Sequence, residues 1–215
     1  MTKSIYFLSG LGADERVFEH LNLLGFNLVY IQWLIPLKDE TIEHYTTRLL
    51  EQIKTQNPIL IGLSFGGIIA IEIAKQIGTE KVILIASAKT KNEIPFYYKW
   101  IGRIKLHKLL PIWLLKQSNF ISNWYFGIDS LLEKRLLKTM LDETDAGFLR
   151  WAIEKIVSWK NETQLKNIYH LHGTNDRILP IQFVKYDFEI KDGGHFFIIN
   201  KSEEVNSIIT KLIEK

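Results

Sequence analysis

Residues 58–70, which read PILIGLSFGGIIA, decide how this chain folds. The run at 58–62 is short and apolar, as expected of a central strand in a parallel sheet. It leads into the pattern G-x-S-x-G around Ser64 and then into a strongly apolar helical pattern at 66–77, which Gly78 ends. The stretch therefore predicts a strand, a tight turn with Ser64 at its apex, and a buried helix.

The glycines of this turn have a steric explanation. Strand and helix approach each other so closely that the residues two before and two after Ser64 must be small, and Gly62 and Gly66 meet that need. The turn holds the serine in a sparsely populated backbone conformation, at a local cost of about 1–3 kcal/mol. Its hydroxyl then lies at a helix N-terminus, where the dipole and the Phe65 amide favour a developing oxyanion. We predict a nucleophilic Ser64; the simpler alternative is a serine that caps the helix.

Short β-rich runs alternate with helical patterns along the rest of the chain. Runs that predict strands lie at 4–9, 27–33, 82–86, 168–172 and 183–190. Helices are predicted at 41–55 and 202–213, and a helix or turn at 15–24. This alternation is typical of an α/β protein with a mostly parallel sheet flanked by helices. With 215 residues and no internal repeat, the whole chain, 1–215, is expected to form one domain.

Residues 90–160 interrupt this alternation. They are mostly helical in pattern and contain Pro95 and Pro111. Because the segment is too long for a connecting loop, we predict a helical lid inserted between two strands and covering Ser64. Most of its aromatic side chains are expected to pack the lid onto the core, and a minority to line an apolar pocket. They include Phe96, Tyr97, Tyr98, Trp100, Trp113, Phe120, Trp124, Tyr125, Phe126, Phe148, Trp151 and Trp159.

Two polar residues follow predicted strands towards the C-terminus. Asp176 lies in HGTNDRILP at 172–180, and His195 ends the sequence DGGH at 192–195. Both lie just beyond the carboxyl end of a strand, where open α/β sheets build their sites. The chain order Ser64, Asp176, His195 is the order of nucleophile, acid and base in hydrolases with a G-x-S-x-G turn. We therefore predict Asp176 as the acid and His195 as the base.

Each of these two predictions has an alternative. An ordinary turn accounts for Asp176, and a surface loop accounts for His195. Asp192 is close to His195 in sequence but shares its loop, so it is poorly placed to orient the ring. The segment after the strand at 82–86, where some relatives of such hydrolases carry the acid, reads SAKT and has no carboxylate.

The remaining histidines are predicted to have structural or solvated roles. His170 and His172 are two apart on one strand face, a spacing compatible with a metal, but no carboxylate or third histidine accompanies them. His20, His44 and His107 lie in partly charged, helical surroundings. We predict no metal site.

Composition excludes several classes of protein. The absence of cysteine rules out disulfides, thiolate nucleophiles and cysteine-based metal sites, and is compatible with a reducing cytosol. A net charge of +3 is too small to indicate nucleic-acid binding. The N-terminus is too short in its apolar part for a secretory signal, and no stretch is suited to span a bilayer. We expect a complete, cytoplasmic chain without a cofactor or a transmembrane segment.

The turn around Ser64, the order of the three polar residues and the strand pattern together resemble the α/β-hydrolase superfamily over nearly the whole chain. The segment SGLGADERVF at 9–18 is similar to a stretch of small bacterial members. The resemblance implies a sheet in which the first and third strands are neighbours and the second lies outside the first. The first strand of this chain resembles the third strand of the family, so the family's usual first hairpin is missing. About six strands are therefore expected instead of eight.

The resemblance also implies an oxyanion hole formed by the backbone amides of Leu11 and Phe65. A His-Gly pair often follows the corresponding first strand in the family, and Ser9-Gly10 takes its place here. Since the donors are backbone amides, the hole does not require that histidine, whereas any substrate-specific role of its side chain has no counterpart here.

The function predicted from these residues is hydrolysis of a carboxylic ester or thioester through an acyl-enzyme, on a small, apolar acyl substrate. Two alternatives stay open: a ligand-binding member that barely turns over, and a C–C or amide hydrolase with the same residues. The lid is basic, which would suit an anionic acyl carrier or an anionic membrane surface. Against Glu93, residues 89–116 hold seven basic residues: Lys89, Lys91, Lys99, Arg103, Lys105, Lys108 and Lys116.

Overall fold

A computed structural model describes residues 3–105, 111, 116, 120–128 and 130–214. His107, Lys108 and Trp113 lie outside the described residues, as do parts of the predicted lid, and the side chain of Phe120 is not described. The expectations stated for these residues stay predictions.

Six parallel strands form one sheet in the order β2-β1-β3-β4-β5-β6. Their bounds are β1 Ser4–Leu8, β2 Asn27–Tyr30, β3 Ile59–Leu63, β4 Lys81–Ile85, β5 Ile168–Gly173 and β6 Phe188–Ile190. The α/β class, the number of strands and the neighbouring positions of β1 and β3 are confirmed. The order reverses between β1 and β3, and an open parallel sheet forms its binding crevice at such a point.

The helices connect these strands on both faces of the sheet. They are α1 Ile42–Leu49, α2 Phe65–Ala74, α3 Phe96–Arg103, α4 Phe120–Phe126, α5 Leu131–Glu143, α6 Ala146–Ser158, α7 Phe197–Asn200 and α8 Ser202–Ile213. Short 3-10 turns lie at Glu15–Phe18, Leu50–Gln52, Lys91–Glu93 and Ile181–Phe183. None of the helices formed by the described residues has the length and apolar content that a bilayer crossing requires.

The core lies on both faces of the sheet, as the alternation of side chains along each strand dictates. In β3, which is buried throughout, Ile59, Ile61 and Leu63 belong to the apolar cluster on one face, and Leu60 belongs to the cluster on the other. Helix α2 is buried from Phe65 to Ile73 because it covers the centre of the second face. This packing fixes the position of the turn between β3 and α2.

Helices α3 to α6 occupy the chain between β4 and β5, where a helical insertion is predicted. Indole groups of α6 and of the residue after it attach the insertion to the core: Trp151 Nε1–H donates to the Glu40 carbonyl over 2.9 Å, and Trp159 Nε1–H donates to Glu72 over 2.8 Å. Gly102 of α3 packs against Val157 of α6. Phe96 and Trp100 differ from these anchoring residues, because 70% and 64% of their surfaces are exposed.

The last strand is shorter than predicted. A strand is expected at 183–190, but β6 spans only Phe188–Ile190, and the chain before it forms the 3-10 turn Ile181–Phe183. The turn follows Pro180, and the carbonyl of Pro180 accepts the N–H of Phe183 over 2.9 Å. The local hydrogen bonds of this turn therefore replace those of a longer strand.

Candidate active site

Ser64 occupies a strained turn at the carboxyl end of β3. Its φ of 51° and ψ of −117° are unusual for a residue other than glycine. A Cβ on Gly66 would lie 2.1 Å from the carbonyl oxygen of Leu8, and one on Gly62 would lie 2.5 Å from that of Gly66. The two glycines are therefore required by close backbone contact, which agrees with the steric reason for expecting them.

Ser64, His195 and Asp176 form a continuous hydrogen-bonded chain. Ser64 Oγ and His195 Nε2 are 2.8 Å apart, and His195 Nδ1 lies 2.7 Å from Asp176 Oδ2. Asp176 and His195 are buried, with 3% and 4% of their surfaces exposed. A carboxylate on Nδ1 holds the ring with Nε2 free to accept the serine proton. The structure thus brings together the three side chains predicted for acid, base and nucleophile.

The carboxylate of Asp176 is fixed on its other oxygen as well. Asp176 Oδ1 accepts the N–H groups of Ile178 and Leu179 over 2.9 and 2.8 Å. The loop after β5 is joined to the histidine loop, because Asn175 N–H donates to the Gly193 carbonyl over 2.9 Å. Asp192, the rejected alternative, is exposed, and its N–H donates to Thr174 Oγ1. The acid and base loops therefore form one hydrogen-bonded unit.

The two amides predicted for the oxyanion hole lie on different elements. Phe65 is the first residue of α2, so its N–H is among those a helix leaves without an intrahelical acceptor. Leu11 lies in the turn closed by a hydrogen bond from Ala13 N–H to the Gly10 carbonyl. A Cβ on Gly10 would lie 3.5 Å from Ser64 Cβ, so this turn runs beside the serine. Participation of the Leu11 amide stays a prediction.

Ser9 has a contact that sequence reasoning did not predict. Its hydroxyl donates to the Ala13 carbonyl over 2.8 Å and accepts Trp33 Nε1–H over 2.9 Å. The Trp33 ring packs against Phe65 and against Phe148 of α6. Ser9 thereby ties together both ends of the turn that carries Leu11. Its position beside Gly10 was the available signal, but only the fold brings Trp33 to it.

His170 and His172 form a buried polar link between strands. His172 Nδ1 lies 3.1 Å from His170 Nε2, which accepts the N–H of Ser87, and Ser87 Oγ–H donates to the Ser64 carbonyl over 2.7 Å. The outer ring nitrogens face the carbonyls of Lys185 and Leu179. Burial lowers the pKa of both imidazoles, that of His170 well below its usual value. Both rings thus lie wholly among protein groups, and among the described residues no group of three or more potential ligands could hold a metal ion.

The helical insertion contacts the histidine loop directly. The Phe126 ring meets the His195 ring edge-on at 5.9 Å, and the Phe126 carbonyl accepts the N–H of Phe196. A Cβ on Gly194 would lie 2.7 Å from the Cα of Gly127, which itself has a φ of +68°. Gly194 therefore leaves room for the end of α4. Gly127 was missed in the sequence because it lies in no recognised motif.

Comparisons with known proteins agree with this fold. The model of the Alpha/beta hydrolase family matches residues 5–208, whereas no curated protein matches the sequence. A hydrolase from Pseudomonas aeruginosa PA01 is similar in structure, with a TM-score of 0.77 at 13% identity over 100% of this chain and 91% of that one. An esterase from Exiguobacterium antarcticum gives a TM-score of 0.71 at 14% identity, over 99% of this chain and 92% of the other.

An enol-lactonase from Burkholderia xenovorans LB400 gives a TM-score of 0.69 at 17% identity, over 100% of this chain and 92% of the other. At such identities the structures show a shared fold. The family model covers most of the sequence, and the chain belongs to the alpha/beta hydrolase family.

Proposed function

We propose that this protein is a serine hydrolase that cleaves carboxylic esters or thioesters. The observation that carries the proposal is the chain from Ser64 Oγ through the His195 ring to Asp176, with contacts of 2.8 and 2.7 Å. A nucleophile in hydrogen-bond reach of a base, itself oriented by a third group, is the signature of covalent acyl transfer. The family membership of the chain and the fold shared with an esterase support it.

In the proposed mechanism, Ser64 Oγ attacks the substrate carbonyl carbon while its proton passes to His195 Nε2. Asp176 stabilises the resulting imidazolium. The tetrahedral oxyanion accepts the N–H groups of Leu11 and Phe65. His195 then returns the proton to the departing alcohol or thiol, which leaves an acyl group on Ser64. A water molecule then gives a proton to His195 while its oxygen attacks the acyl carbonyl carbon, and His195 passes that proton to Ser64 Oγ as the bond to the serine breaks and the acid leaves.

The substrate is proposed to be a small molecule. Two cations of the predicted basic lid are already paired, since Lys89 lies 2.8 Å from Asp187 and Lys91 bonds Glu162. Lys116 donates to the carbonyl of Asp142. These pairings weaken the case for an anionic acyl carrier. The experiment below tests such a carrier with a coenzyme A thioester. The lid role of residues 90–160 and the cytoplasmic location stay predictions.

The experiment is an activity panel at equal protein concentration. It compares p-nitrophenyl acetate, an acetyl thioester of coenzyme A, acetanilide and a cleavable β-diketone, on wild type, Ser64→Ala and Ser158→Ala. Ser158 is an exposed serine of α6 and serves as the control. We expect ester or thioester turnover that falls by on the order of 10⁶-fold in Ser64→Ala and is unchanged in Ser158→Ala.

Three results would contradict the proposal. They are turnover that survives in Ser64→Ala, turnover of only the amide or the diketone, and no turnover by folded wild type. The last would favour the ligand-binding alternative.

A further inference from the structure

A small apolar cavity of about 60 Å³ opens on Ser64 and His195. Its walls come from four parts of the chain: Ile68 of α2, Ala88 after β4, Ile94 and Ile156 of the insertion, and Leu179 of the acid loop. All five are aliphatic. A group attached to the carbonyl that Ser64 attacks would enter this cavity first.

The hydroxyl groups in the cavity wall are already engaged. Tyr98 OH donates to the Ile178 carbonyl over 2.9 Å, and Ser87 Oγ–H donates to the Ser64 carbonyl over 2.7 Å. Apart from Ser64 and His195, the wall therefore offers a bound group mainly carbon. A charged or hydroxylated substituent would lose its water shell there without a compensating hydrogen bond, which is costly.

The volume sets the size of the group. A cavity of about 150 Å³ holds benzene, or roughly 25 Å³ for each non-hydrogen atom, so 60 Å³ accommodates roughly two to three such atoms beyond the carbonyl carbon at Ser64. Ile156 closes one side, and the helix that carries it is fixed through Trp151 and the Glu40 carbonyl. The wall is therefore attached to the core and resists displacement by a longer chain.

We propose that the substrate carries a short aliphatic acyl group of two to about four carbons, which this cavity binds. The assignment rests on the proposed function. The acyl group is placed here, and the leaving group elsewhere, because the acyl group stays bonded to Ser64 Oγ through the intermediate while the leaving group must depart. A wider cleft of about 670 Å³, which shares Tyr98 with the cavity and is lined by Asp176 and Arg177, gives the leaving group room.

The test is a chain-length series of p-nitrophenyl esters from acetate to decanoate, measured as kcat/KM on wild type and three variants. Ile156→Ala enlarges the cavity and Ala88→Val reduces it. Ile153→Ala is the matched control, because Ile153 is half-buried on the same helix and does not line the cavity. Acetate esters of methanol and of 1-naphthol test whether the size limit falls on the alcohol instead.

We expect kcat/KM of wild type to be highest for acyl groups of two to four carbons and to fall at least about 100-fold by eight carbons. A single methylene group that a pocket cannot accommodate changes kcat/KM by about 10–200-fold. Ile156→Ala should move the optimum two or three carbons longer. Ala88→Val should lower kcat/KM for the butyrate ester relative to that for the acetate ester, and Ile153→Ala should keep the wild-type dependence on chain length. The naphthyl and methyl acetates should both be hydrolysed.

An optimum longer than four carbons would overturn the assignment and leave the proposed function intact, because Ser64-dependent turnover would persist. The assignment would also be overturned if folded Ile156→Ala kept the wild-type dependence on chain length, or if activity were limited by the size of the alcohol and not by that of the acyl group. No turnover at any chain length, together with no labelling of Ser64 by a fluorophosphonate, would overturn the proposed function and the assignment with it.

Discussion

The carboxyl edge of the sheet and the helical insertion are built on different principles. At the sheet edge, Ser64, Asp176 and His195 are joined by hydrogen bonds of 2.7 and 2.8 Å, and Asp176 and His195 are buried. In the insertion, α6 is attached to the core, whereas α3 leaves Phe96 and Trp100 exposed. Substitutions at the edge should therefore act on chemistry and folding, and those on the outer face of α3 should have little effect on either.

The largest effect should come from Asp176→Asn. The asparagine carbonyl can still accept the N–H groups of Ile178 and Leu179, so the loop should persist. Its NH₂ group, however, cannot accept the proton of His195 Nδ1, and the ring loses the orientation that leaves Nε2 as acceptor. We expect kcat to fall about 10⁴-fold, measured on p-nitrophenyl acetate. Asp192→Asn, on the neighbouring loop, should retain wild-type rates; an equal loss in both would refute a special role for Asp176.

Gly66→Ala should damage the fold at the same edge. The new Cβ would lie 2.1 Å from the Leu8 carbonyl oxygen and 2.3 Å from that of Ser9, so backbone must move. We expect the free energy of unfolding in urea to fall by about 3 kcal/mol or more. In Gly147→Ala, the matched control at the second residue of α6, the nearest atom is Oδ1 of the capping Asp145 at 3.1 Å, so no backbone atom has to move, and a change within about 1 kcal/mol is expected. Equal stability of the two variants would contradict the steric argument.

Ser9→Ala should test whether Ser9 positions the turn that carries the Leu11 amide. The change leaves Trp33 Nε1–H and the Ala13 carbonyl without their shared partner. We expect kcat to fall about tenfold, less than the 10²–10³ for an outright loss of an oxyanion donor, with KM unchanged.

Affinity for a boronic acid transition-state analogue should weaken in parallel with kcat in Ser9→Ala. Trp33→Phe, which keeps a smaller aromatic ring but removes the donor, should behave likewise. A higher KM with unchanged kcat would assign Ser9 to substrate binding instead.

The buried pair His170 and His172 should make stability depend on pH. Burial lowers the pKa of both imidazoles in the folded state, so the unfolded chain binds more protons and stability rises with pH. The contribution is complete above about 6.5, the usual histidine pKa, and is lost as pH falls below it.

The melting temperature of wild type should therefore drop between pH 7 and pH 5. The drop should be smaller in His170→Gln, although the melting temperature of this variant at pH 7 will be lower than that of wild type. Each unit of pKa depression corresponds to about 1.4 kcal/mol. Parallel pH curves for the two proteins would show that the pair does not carry this dependence.

The smallest effect is expected on the exposed face of the insertion. Trp100→Ser should change the free energy of unfolding by less than about 0.5 kcal/mol, because most of the indole is already in water. Trp151→Phe should cost about 1 kcal/mol, since the Glu40 carbonyl loses its donor. A larger loss at Trp100 than at Trp151 would mean that α3 is buried in solution.

The sheet edge could be predicted from sequence because its constraints are local. The glycines beside Ser64 are dictated by one turn, and Asp176 and His195 each follow a strand that was predicted and that forms, although β6 is shorter than expected. The features that were missed depend on distant residues. Trp33 reaches Ser9, and Gly127 reaches Gly194, only after the chain has folded. The shortened β6 has a local cause instead: the 3-10 turn after Pro180 competes with strand pairing.

The rate of fluorophosphonate labelling, measured on wild type and on His195→Ala and located by peptide mass, tests most directly whether the edge of the sheet is a preassembled nucleophile. We predict one adduct in wild type, on the peptide that carries Ser64, and labelling at least about 10³-fold slower without the histidine. An adduct on another residue, or equal rates in the two proteins, would contradict the assignment of Ser64 and His195.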